Sequence, residues 1–407
     1  MLKRLKLERF KGFKEAELLL SPFTLLIGVN ASGKSNICDA LRFLHGISRG
    51  YSVAEIIGEK WSEAGILQWR GIRGGTKEIA FQQANTFALE VELEIKEMPQ
   101  LKRFRAKRSF DEVVTYRIEV EVGHYDKPSR VIAEKLTTAE KVLFDVSEES
   151  VLGELDRFRN FFPWFPTLSF WPKIFIGGPL ALVSIEVVDF FGSFRFLDFS
   201  PDAMRRPSFP GQDILGDRGE NLSSVLYNIC EDENRKKILI DWVRELTPMD
   251  AVDFEFVFDQ TGKVLVTLVE ENGQRTSAYS ASDGTVRFLA TIAALLGTRP
   301  ARFYFFEELE NGIHPSRMHL MLELIEKQAT QKNIQIVSTT HSPEILRLAS
   351  RETRNNASLL YRLPNHPDSR IKRIQDIAEI DKVLEKQNLG DLHYSGWFED
   401  VVYFLED

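Results

Sequence analysis

The spacing of apolar residues predicts a core of short buried strands and helices. Leu25–Ile27 and Phe303–Phe306 are continuously apolar, as is typical of strands buried on both faces of a sheet, and Ile334–Thr340 is a further buried strand that ends in polar residues. Helical spacing follows the first of them over Ile37–Leu44, and a further helix is predicted over Ser316–Gln328. Strands and helices in this order predict an α/β fold with a mostly parallel core sheet.

A second set of strands alternates between apolar and polar residues. The alternation is regular over Phe87–Ile95 and Tyr116–Val122 and weaker over Arg130–Leu136, which predicts an antiparallel meander. Leu2–Phe10 has the pattern of a half-buried edge strand, and Glu15–Leu20 is its predicted hairpin partner. The sequence therefore predicts an antiparallel β subdomain beside the parallel core.

The middle of the chain predicts a helical insert that is rich in aromatic residues. Asn221–Tyr227 and Arg235–Leu246 are predicted helices. Phe158–Phe196 holds many Phe and Trp residues, and prolines interrupt it too often for a membrane helix. These aromatic residues are expected to fill a core, the favoured interpretation, or to form a partner surface.

Composition restricts the class of protein. A length of 407 residues suggests about two or three domains. The net charge of −8, from 52 basic and 60 acidic residues, argues against a uniformly basic nucleic-acid-binding protein. Lys102–Arg108 is a local exception with five basic residues; a solvated loop is the favoured interpretation, and a grip on DNA or an acidic partner is the alternative. Cys38 and Cys230 predict packed thiols, and the lack of a span of about 20 apolar residues predicts a cytoplasmic protein without a membrane segment.

The first chemical motif is G-x-x-x-x-G-K-[ST], which the chain matches from Gly28 to Ser35. It lies between a buried strand and a helix, as a phosphate-binding loop requires, and a chance glycine-rich turn is the weaker alternative. Gly28 and Gly33 let backbone N–H groups face a polyphosphate at a helix N-terminus. Lys34 is expected to contact the β- and γ-phosphates, and the Ser35 hydroxyl is expected to bind Mg²⁺.

Two later strands end in polar residues that suit the same chemistry. Phe303–Phe306 runs into Glu307 and Glu308, and a carboxylate at the carboxyl end of a parallel strand points into the crevice where nucleotides bind. Glu307 is expected to hold Mg²⁺ or its waters, and Glu308 to orient and polarise the attacking water. His341 ends the next strand, and a neutral histidine can donate a hydrogen bond to a γ-phosphate oxygen. Solvated glutamates and a structural histidine are the alternatives, which the upstream phosphate loop disfavours.

Together these residues resemble the ABC-type ATPase heads of the RecF, SMC and OLD group, and more closely the compact bacterial AAA family ATPases of that group. The order and spacing of the motifs carry the resemblance over most of the chain, and the motifs are Gly28–Asn36, Ser282–Thr285, Phe303–Glu308, Glu310–Pro315 and Thr340–Pro343. The resemblance implies an ABC-ATPase head with a mostly parallel P-loop core sheet, an antiparallel β subdomain and a helical insert. Long heptad runs are absent from the sequence, so no coiled-coil arm is expected.

The resemblance also implies ligands and residue roles. ATP and Mg²⁺ are the implied ligands, and the implied nucleotide-binding residues are Gly28, Asn30, Ser32, Gly33, Lys34, Ser35, Asn36, Ser282 and Gly284. Ser282 and Gly284 would complete the site of a second subunit across a homodimer or higher homo-oligomer. The loop Glu310–His314 would connect the two sites, His341 would be the switch histidine, and Phe10–Phe13 would lie near the nucleotide base.

Three departures from the family pattern bear on activity. Glu307 stands where the family has Asp, and the signature reads Ala-Ser-Asp-Gly-Thr over 281–285 in place of Leu-Ser-Gly-Gly-Gln, which puts the turnover rate in doubt. The candidates for the glutamine that couples the metal to the lobe interface are Gln68, Gln82 and Gln83. Only Glu344–Asp407 follows the histidine motif, which is too short for the nuclease domain of OLD-type proteins.

These implications divide the chain into four predicted regions. They are an ATPase lobe with the antiparallel subdomain over 1–145, a helical and aromatic insert over 146–250, a second ATPase lobe over 251–365 and a tail over 366–407. The predicted function is a slowly hydrolysing ATP-dependent dimerisation module that controls a separate nuclease or toxin in bacterial anti-phage defence. A RecF-like repair ATPase that binds DNA directly and a nucleotide-held scaffold with negligible turnover are the alternatives.

Overall fold

The computed structural model of the protein describes residues 1–63, 65–96, 112–124, 127–147, 164–169, 179–246, 250–332 and 334–406. The basic stretch Lys102–Arg108 lies outside the described residues, as do 158–163 and 170–178 of the aromatic-rich stretch. The roles proposed for those segments therefore stay predictions. Among the described residues, no helix combines the length and the apolar character needed to cross a membrane.

The described strands, in chain order, are β1 (Leu2–Phe10), β2 (Phe13–Leu19), β3 (Phe23–Ile27), β4 (Lys60–Trp61), β5 (Leu67–Trp69), β6 (Thr86–Ile95), β7 (Glu112–Glu121), β8 (Arg130–Thr138), β9 (Val142–Ser147), β10 (Phe194–Leu197), β11 (Ala251–Phe258), β12 (Val264–Glu270), β13 (Arg275–Ser277), β14 (Phe303–Phe306), β15 (Gln335–Thr340), β16 (Ser358–Arg362) and β17 (Ser369–Arg373).

The described α-helices are α1 (Lys34–Ser48), α2 (Val53–Ile57), α3 (Gly75–Glu78), α4 (Pro179–Gly192), α5 (Pro201–Met204), α6 (Leu222–Cys230), α7 (Glu233–Leu246), α8 (Asp283–Leu296), α9 (Met318–Gln331), α10 (Pro343–Leu348), α11 (Arg351–Asn355), α12 (Ile380–Leu384), α13 (Leu389–Tyr394) and α14 (Trp397–Glu406). Short 3₁₀ turns lie at Phe81–Gln83, Thr167–Ser169, Pro315–Arg317 and Ile374–Asp376.

The alternating strands form one antiparallel sheet with the order β2-β1-β6-β7-β8-β9, which confirms the predicted meander and hairpin. The prediction that Leu2–Phe10 is an edge strand is wrong, because β1 pairs with β2 on one side and with β6 on the other. Its polar residues still reach solvent, because only one face of this sheet is packed: Leu5 and Leu7 are fully buried, whereas Lys6 is partly exposed.

The predicted buried strands β3, β14 and β15 lie in the second sheet, which has the order β10-β14-β15-β3-β16-β17. Adjacent strands run parallel from β10 to β16, and only β17 is antiparallel to its neighbour. The α/β fold with a mostly parallel core is therefore confirmed. The predicted insert of 146–250 contributes β10 to this sheet, and the predicted tail contributes β17, so neither region stands apart from the core.

The parallel sheet separates two hydrophobic cores, which explains the runs of apolar residues in its strands. Phe303 and Phe305 of β14 face a core shared with α1, α4 and the antiparallel sheet. Phe306 and Tyr304 face the other core, which holds the helices around α8 and α9 and the C-terminal helices. A strand with a core on each face has no solvent-facing side, so its residues are apolar throughout.

The region Tyr51–Gly75, predicted to be irregular, contains α2 and the small β4–β5 hairpin. Ser52 begins α2 with a capping box, in which its hydroxyl accepts from Glu55 N–H and the Glu55 carboxylate accepts from Ser52 N–H. This S-x-x-E signal was present in the sequence but was overlooked. Other predicted helices are present but begin or end at different residues. Helix α9 begins after a 3₁₀ turn, and α8 begins at Asp283.

Candidate nucleotide site

The carboxyl ends of β3, β14 and β15 open onto one cavity of about 320 Å³. Because these strands are parallel neighbours, the loops that follow them lie at the same edge of the sheet. The residues that line the cavity are Asn30, Ala31, Gly33, Lys34, Ser35, Asn36, Glu307, Glu308, Thr339 and His341. The sheet thus brings together residues that are about three hundred positions apart in the chain.

Backbone conformation and close packing require both glycines of the loop. Gly28 has φ 150°, and a Cβ there would lie 2.1 Å from the Leu360 carbonyl oxygen. Gly33 has φ 112°, and its Cβ would lie 2.9 Å from the Phe13 ring. Ordinary side chains rarely adopt such φ values and would collide with these neighbours. The loop therefore keeps its curved path only with glycine at these two positions.

Lys34 folds back onto the loop that precedes it. Its ammonium donates hydrogen bonds to the carbonyl oxygens of Gly28 at 2.5 Å and of Val29 at 2.9 Å. Burial lowers the pKa of Lys34 to about 8, and the opposing effect of Glu308 and Glu310 is smaller. The charge thus sits at the cavity without a carboxylate partner among the described residues, which suits a phosphate as its counterion.

The two glutamates after β14 are held by backbone and side-chain contacts. Glu307 N–H donates to the Leu197 carbonyl at 3.1 Å, so β10 supports the first carboxylate. Glu308 has φ 49°, and its N–H donates to Thr339 Oγ1 at 2.9 Å. A non-glycine residue in this region costs of order 1–3 kcal/mol and is concentrated at functional sites. Asn311 donates to the Glu308 carboxylate at 2.6 Å and thereby fixes its direction.

His341 stands at the carboxyl end of β15 and is half-buried. Burial and the Lys34 charge lower its pKa, so the neutral imidazole is the prevailing form at neutral pH. Its backbone N–H donates to Glu310 Oε1 at 2.7 Å, and Thr340 Oγ1 donates to the same oxygen at 3.1 Å. Burial raises the pKa of Glu310. The sequence predicted Glu310 only as part of a connecting loop. It did not predict the hydrogen bonds that Glu310 accepts from Thr340 and His341.

A polar network behind the loop was also missed. Arg73 donates to the Ser35 carbonyl at 2.5 Å and to Asp39 Oδ1 at 3.3 Å, and Lys11 donates to Asp39 Oδ2 at 2.7 Å. This network ties the N-terminal turn to the start of α1. Asp39 lies one helical turn beyond Ser35, which was an available signal, whereas Arg73 lies in a glycine-rich loop without periodicity. Thr339 was likewise named only as part of a strand.

The oxygen donors at the cavity fit Mg²⁺. Ser35 and Glu307 both line it and offer a hydroxyl and a carboxylate. Mg²⁺ prefers oxygen ligands and is commonly held by one or two protein groups together with phosphates and water. The described part of the chain has no cluster of three or more His, Cys, Asp or Glu that could hold a metal. The two cysteines are free, and burial raises the pKa of each thiol to about 12.

The remaining predicted nucleotide-binding residues lie elsewhere. Gly28 and Ser32 belong to the loop but do not line the cavity, and a Cβ on Gly28 would be 2.7 Å from the buried Ser32 Oγ. Ser282 is the exposed N-cap of α8 and accepts from Thr285 N–H at 3.1 Å. A Cβ on Gly284 would lie 2.5 Å from the Gly312 carbonyl, so the signature turn packs on the loop after β14. Neither Ser282 nor Gly284 lines the cavity of its own chain.

The three candidate coupling glutamines also lie outside this cavity. Gln68 lines a different cavity, and Gln82 and Gln83 form a 3₁₀ turn with positive φ values. The N-terminal turn, in contrast, does lie against the phosphate loop, since a Cβ on Gly12 would be 2.9 Å from Asn36 Nδ2.

Two family models match separate parts of the sequence. Residues 1–136 match a model described as an AAA ATPase domain. Residues 186–347 match a model described as an AAA domain, putative AbiEii toxin, Type IV TA system. No curated protein matches the sequence.

Among solved structures, SMC heads share the fold. An SmcHead bound to the C-winged helix domain of ScpA has 14% identity and a TM-score of 0.53, over 91% of this chain and 97% of that one. The Smc head with an extended coiled coil bound to the C-terminal domain of ScpA, derived from Pyrococcus furiosus, has 13% identity and a TM-score of 0.49, over 95% and 99%. The SMC head from Thermotoga maritima has 13% identity and a TM-score of 0.42, over 91% and 98%. The family models and the SMC-head fold together confirm the resemblance to AAA and ABC-type ATPases of the RecF and SMC kind.

Proposed function

We propose that the protein binds ATP with Mg²⁺, hydrolyses it slowly and dimerises through shared ATP sites to control a separate effector. One observation carries the proposal. A single cavity gathers Lys34, Ser35, Glu307, Glu308 and His341, whereas the signature turn faces solvent outside it. A second copy of the chain is the natural source of the missing turn.

Each residue then has a distinct task in hydrolysis. The backbone N–H groups of the loop and the Lys34 ammonium bind the phosphates. Mg²⁺, held by Ser35 and Glu307, would neutralise developing charge on the phosphates. Glu308 accepts the proton of the attacking water, and neutral His341 donates a hydrogen bond to a γ-phosphate oxygen.

The shared site can be tested by mixing two inactive chains. A Lys34→Ala chain lacks the phosphate contact, and a Ser282→Arg chain lacks the signature contact. A heterodimer of the two keeps one intact site, so random pairing at equal amounts should restore about a quarter of the wild-type turnover per chain. An inactive mixture in which native mass spectrometry shows heterodimers would contradict the proposal.

The effector role rests on the comparisons and on the dimer. The model over 186–347 is described by a putative toxin of a toxin–antitoxin system, which favours bacterial defence. The SMC head with the shared fold is bound to a domain of another protein, which favours control through a partner. The protein encoded beside this one is the effector to test. It should co-purify with a Glu308→Gln chain in ATP, and much less with a Lys34→Ala chain.

The two alternatives predict different measurements. Tight ATP binding without phosphate release would indicate the nucleotide-held scaffold. Hydrolysis that DNA stimulates several-fold, without a copurifying effector, would indicate the RecF-like repair role.

A further inference from the structure

A second and larger cavity, of about 540 Å³, shares helix α1 with the nucleotide site but has no lining residue in common with it. Its walls are the later turns of α1, the loop that follows β5, strand β10 and the segment 214–220. The phosphate loop and its motifs do not contribute to it. A ligand of this cavity would therefore bind at a site separate from the proposed ATP site.

Arginine is the dominant charged residue of this cavity. The five that line it are Arg42, Arg49, Arg70, Arg195 and Arg218. None of them forms an ion pair among the described residues, although Asp198, Asp217 and Glu220 line the same space. Five guanidinium groups against three carboxylates leave an excess of positive charge, and such an excess concentrates anions. Each arginine also offers a planar guanidinium group, whose paired N–H donors can bind phosphate.

The described contacts of these arginines use backbone, hydroxyl and ring groups. Arg195 donates to the carbonyl oxygens of Phe194 at 2.7 Å and of Gly192 at 3.3 Å. Arg218 donates to Ser200 Oγ at 3.1 Å, and the Arg42 guanidinium lies 4.8 Å from the centre of the Phe196 ring. These contacts hold the guanidinium groups in place, and the single Asp217 carboxylate interacts with both Arg42 and Arg195, so it balances only part of their charge.

An aromatic wall lies beside the arginines. Trp69 is fixed by a hydrogen bond from its indole N–H to the Ile56 carbonyl at 2.9 Å, and its ring lies 5.9 Å from that of His45. Burial, together with the charges of Arg49, Arg195 and Arg42, lowers the pKa of His45 to about 4, so His45 is neutral there. The cavity therefore combines positive charge with an aromatic surface on Trp69.

We propose that this cavity binds a small phosphorylated molecule that carries a planar ring, of about mononucleotide size. The volume lies within the range of roughly 300–1,000 Å³ that is usual for small-molecule sites. Unpaired arginines bind the phosphate, and the aromatic wall stacks on the ring. A cavity of this size suits a small ligand better than a nucleic-acid strand, which needs an extended groove.

The test uses the full-length chain with Lys34→Ala, so that binding at the phosphate loop is weakened. Inorganic pyrophosphate and AMP are titrated by isothermal calorimetry. Both should bind at one site per chain, and AMP should bind more tightly because of its ring. Arg49→Glu or Arg70→Glu should weaken both ligands at least about tenfold, since each reversal removes a charge-assisted contact. Both side chains are exposed, so the fold should survive.

Matched variants separate local from general effects. Arg351→Glu changes an exposed arginine on α11, outside both cavities, by the same charge and should leave binding unchanged. Arg49→Gln and Arg70→Gln should weaken binding less than the reversals do.

Several outcomes would overturn the proposal. One is that neither probe binds the Lys34→Ala chain, and another is that the arginine variants bind as well as their parent. Arginine-dependent binding of a 12-nucleotide single strand, with no binding of AMP, would assign the cavity to nucleic acid instead. Failure of ATP hydrolysis or of dimerisation leaves this measurement unaffected, because the site uses neither.

Discussion

The phosphate cavity and the signature turn are built in opposite ways. At the cavity, side chains from three strand ends converge, and Lys34 has no carboxylate partner among the described residues. At the signature turn, Ser282 caps its own helix, and Asp283 forms an ion pair with Arg205 on the surface. The first region is a cavity that can hold a ligand, whereas the second presents a helix N-terminus to solvent.

We propose that one chain holds the parts that bind phosphate and that a partner supplies the part that closes the site. A single chain should therefore bind nucleotide in a pocket open to water. Hydrolysis should depend on the second copy. Four predictions, in decreasing order of expected effect, test these two roles.

Replacing Glu308 by Gln should have the largest effect. The amide cannot take the proton of the attacking water, so turnover should fall by about 10²–10⁴-fold while ATP stays bound. Trapped ATP should also hold a dimer, visible by size-exclusion chromatography with light scattering. Glu323→Gln, an exposed glutamate on α9, is the control and should hydrolyse normally. Normal hydrolysis by Glu308→Gln would move the role to Glu307 or Glu310.

Lys34→Ala and Ser282→Arg should separate binding from closure. Charge-assisted hydrogen bonds contribute about 1.5–3 kcal/mol, so Lys34→Ala should weaken ATP binding by at least about tenfold. Ser282→Arg should leave the ATP affinity of the isolated chain within about twofold but abolish hydrolysis. Equilibrium dialysis at protein concentrations too low for dimer formation measures the ATP affinity of both variants. Unchanged affinity in Lys34→Ala would refute the phosphate-loop assignment.

Glu310→Ala should loosen the segment that carries His341. It removes the acceptor of the His341 N–H and leaves that donor without its partner, which costs about 1–3 kcal/mol of stability. Urea unfolding should show this loss, and Glu310→Gln, which keeps one acceptor oxygen, should lose less. Equal stability of the alanine and wild-type chains would show that the contact is dispensable.

The smallest predicted effect is a proton uptake on ATP binding. The pKa of Lys34 is lowered to about 8, so part of the free protein has a neutral Lys34 above that pH. Phosphate raises this pKa, so the complex holds more protons than the free chain and affinity falls as pH rises above about 8. Calorimetry at pH 8.5 in two buffers of different ionisation enthalpy should detect less than one proton per site. Lys34→Arg, charged throughout, should show none.

Much of the fold was predictable because its signals are local. Apolar runs identified β3, β14 and β15, and alternation identified the antiparallel sheet. β10 was missed because its four residues include Arg195 and carry no turn signal, and only pairing with β14 makes it a strand. β1 was assigned to an edge because half-burial looks the same at an edge and in a sheet with one solvated face.

At the site, motif residues could be named in advance but their supports could not. Lys34, Ser35 and Glu307 belong to patterns of fixed spacing, so the sequence places them at one cavity. Arg73 and Glu310 act through single hydrogen bonds to backbone atoms that are distant in sequence or lie in another loop. Such contacts depend on tertiary geometry and produce no periodic pattern in the sequence. The arginine-lined cavity was missed for the same reason, since four separate segments supply its charges.

The strand order of the parallel sheet has a consequence for dissecting the protein. Neighbouring strands begin at positions 194, 303, 335, 23, 358 and 369, so most of the hydrogen-bonded ladders join segments that are far apart along the chain. A fragment that ends near residue 250 would lack four of those six strands and would leave β3 and β10 without a neighbour. The two halves that match separate family models are therefore not autonomous units, and we expect them to be recovered in soluble form only when they are produced together.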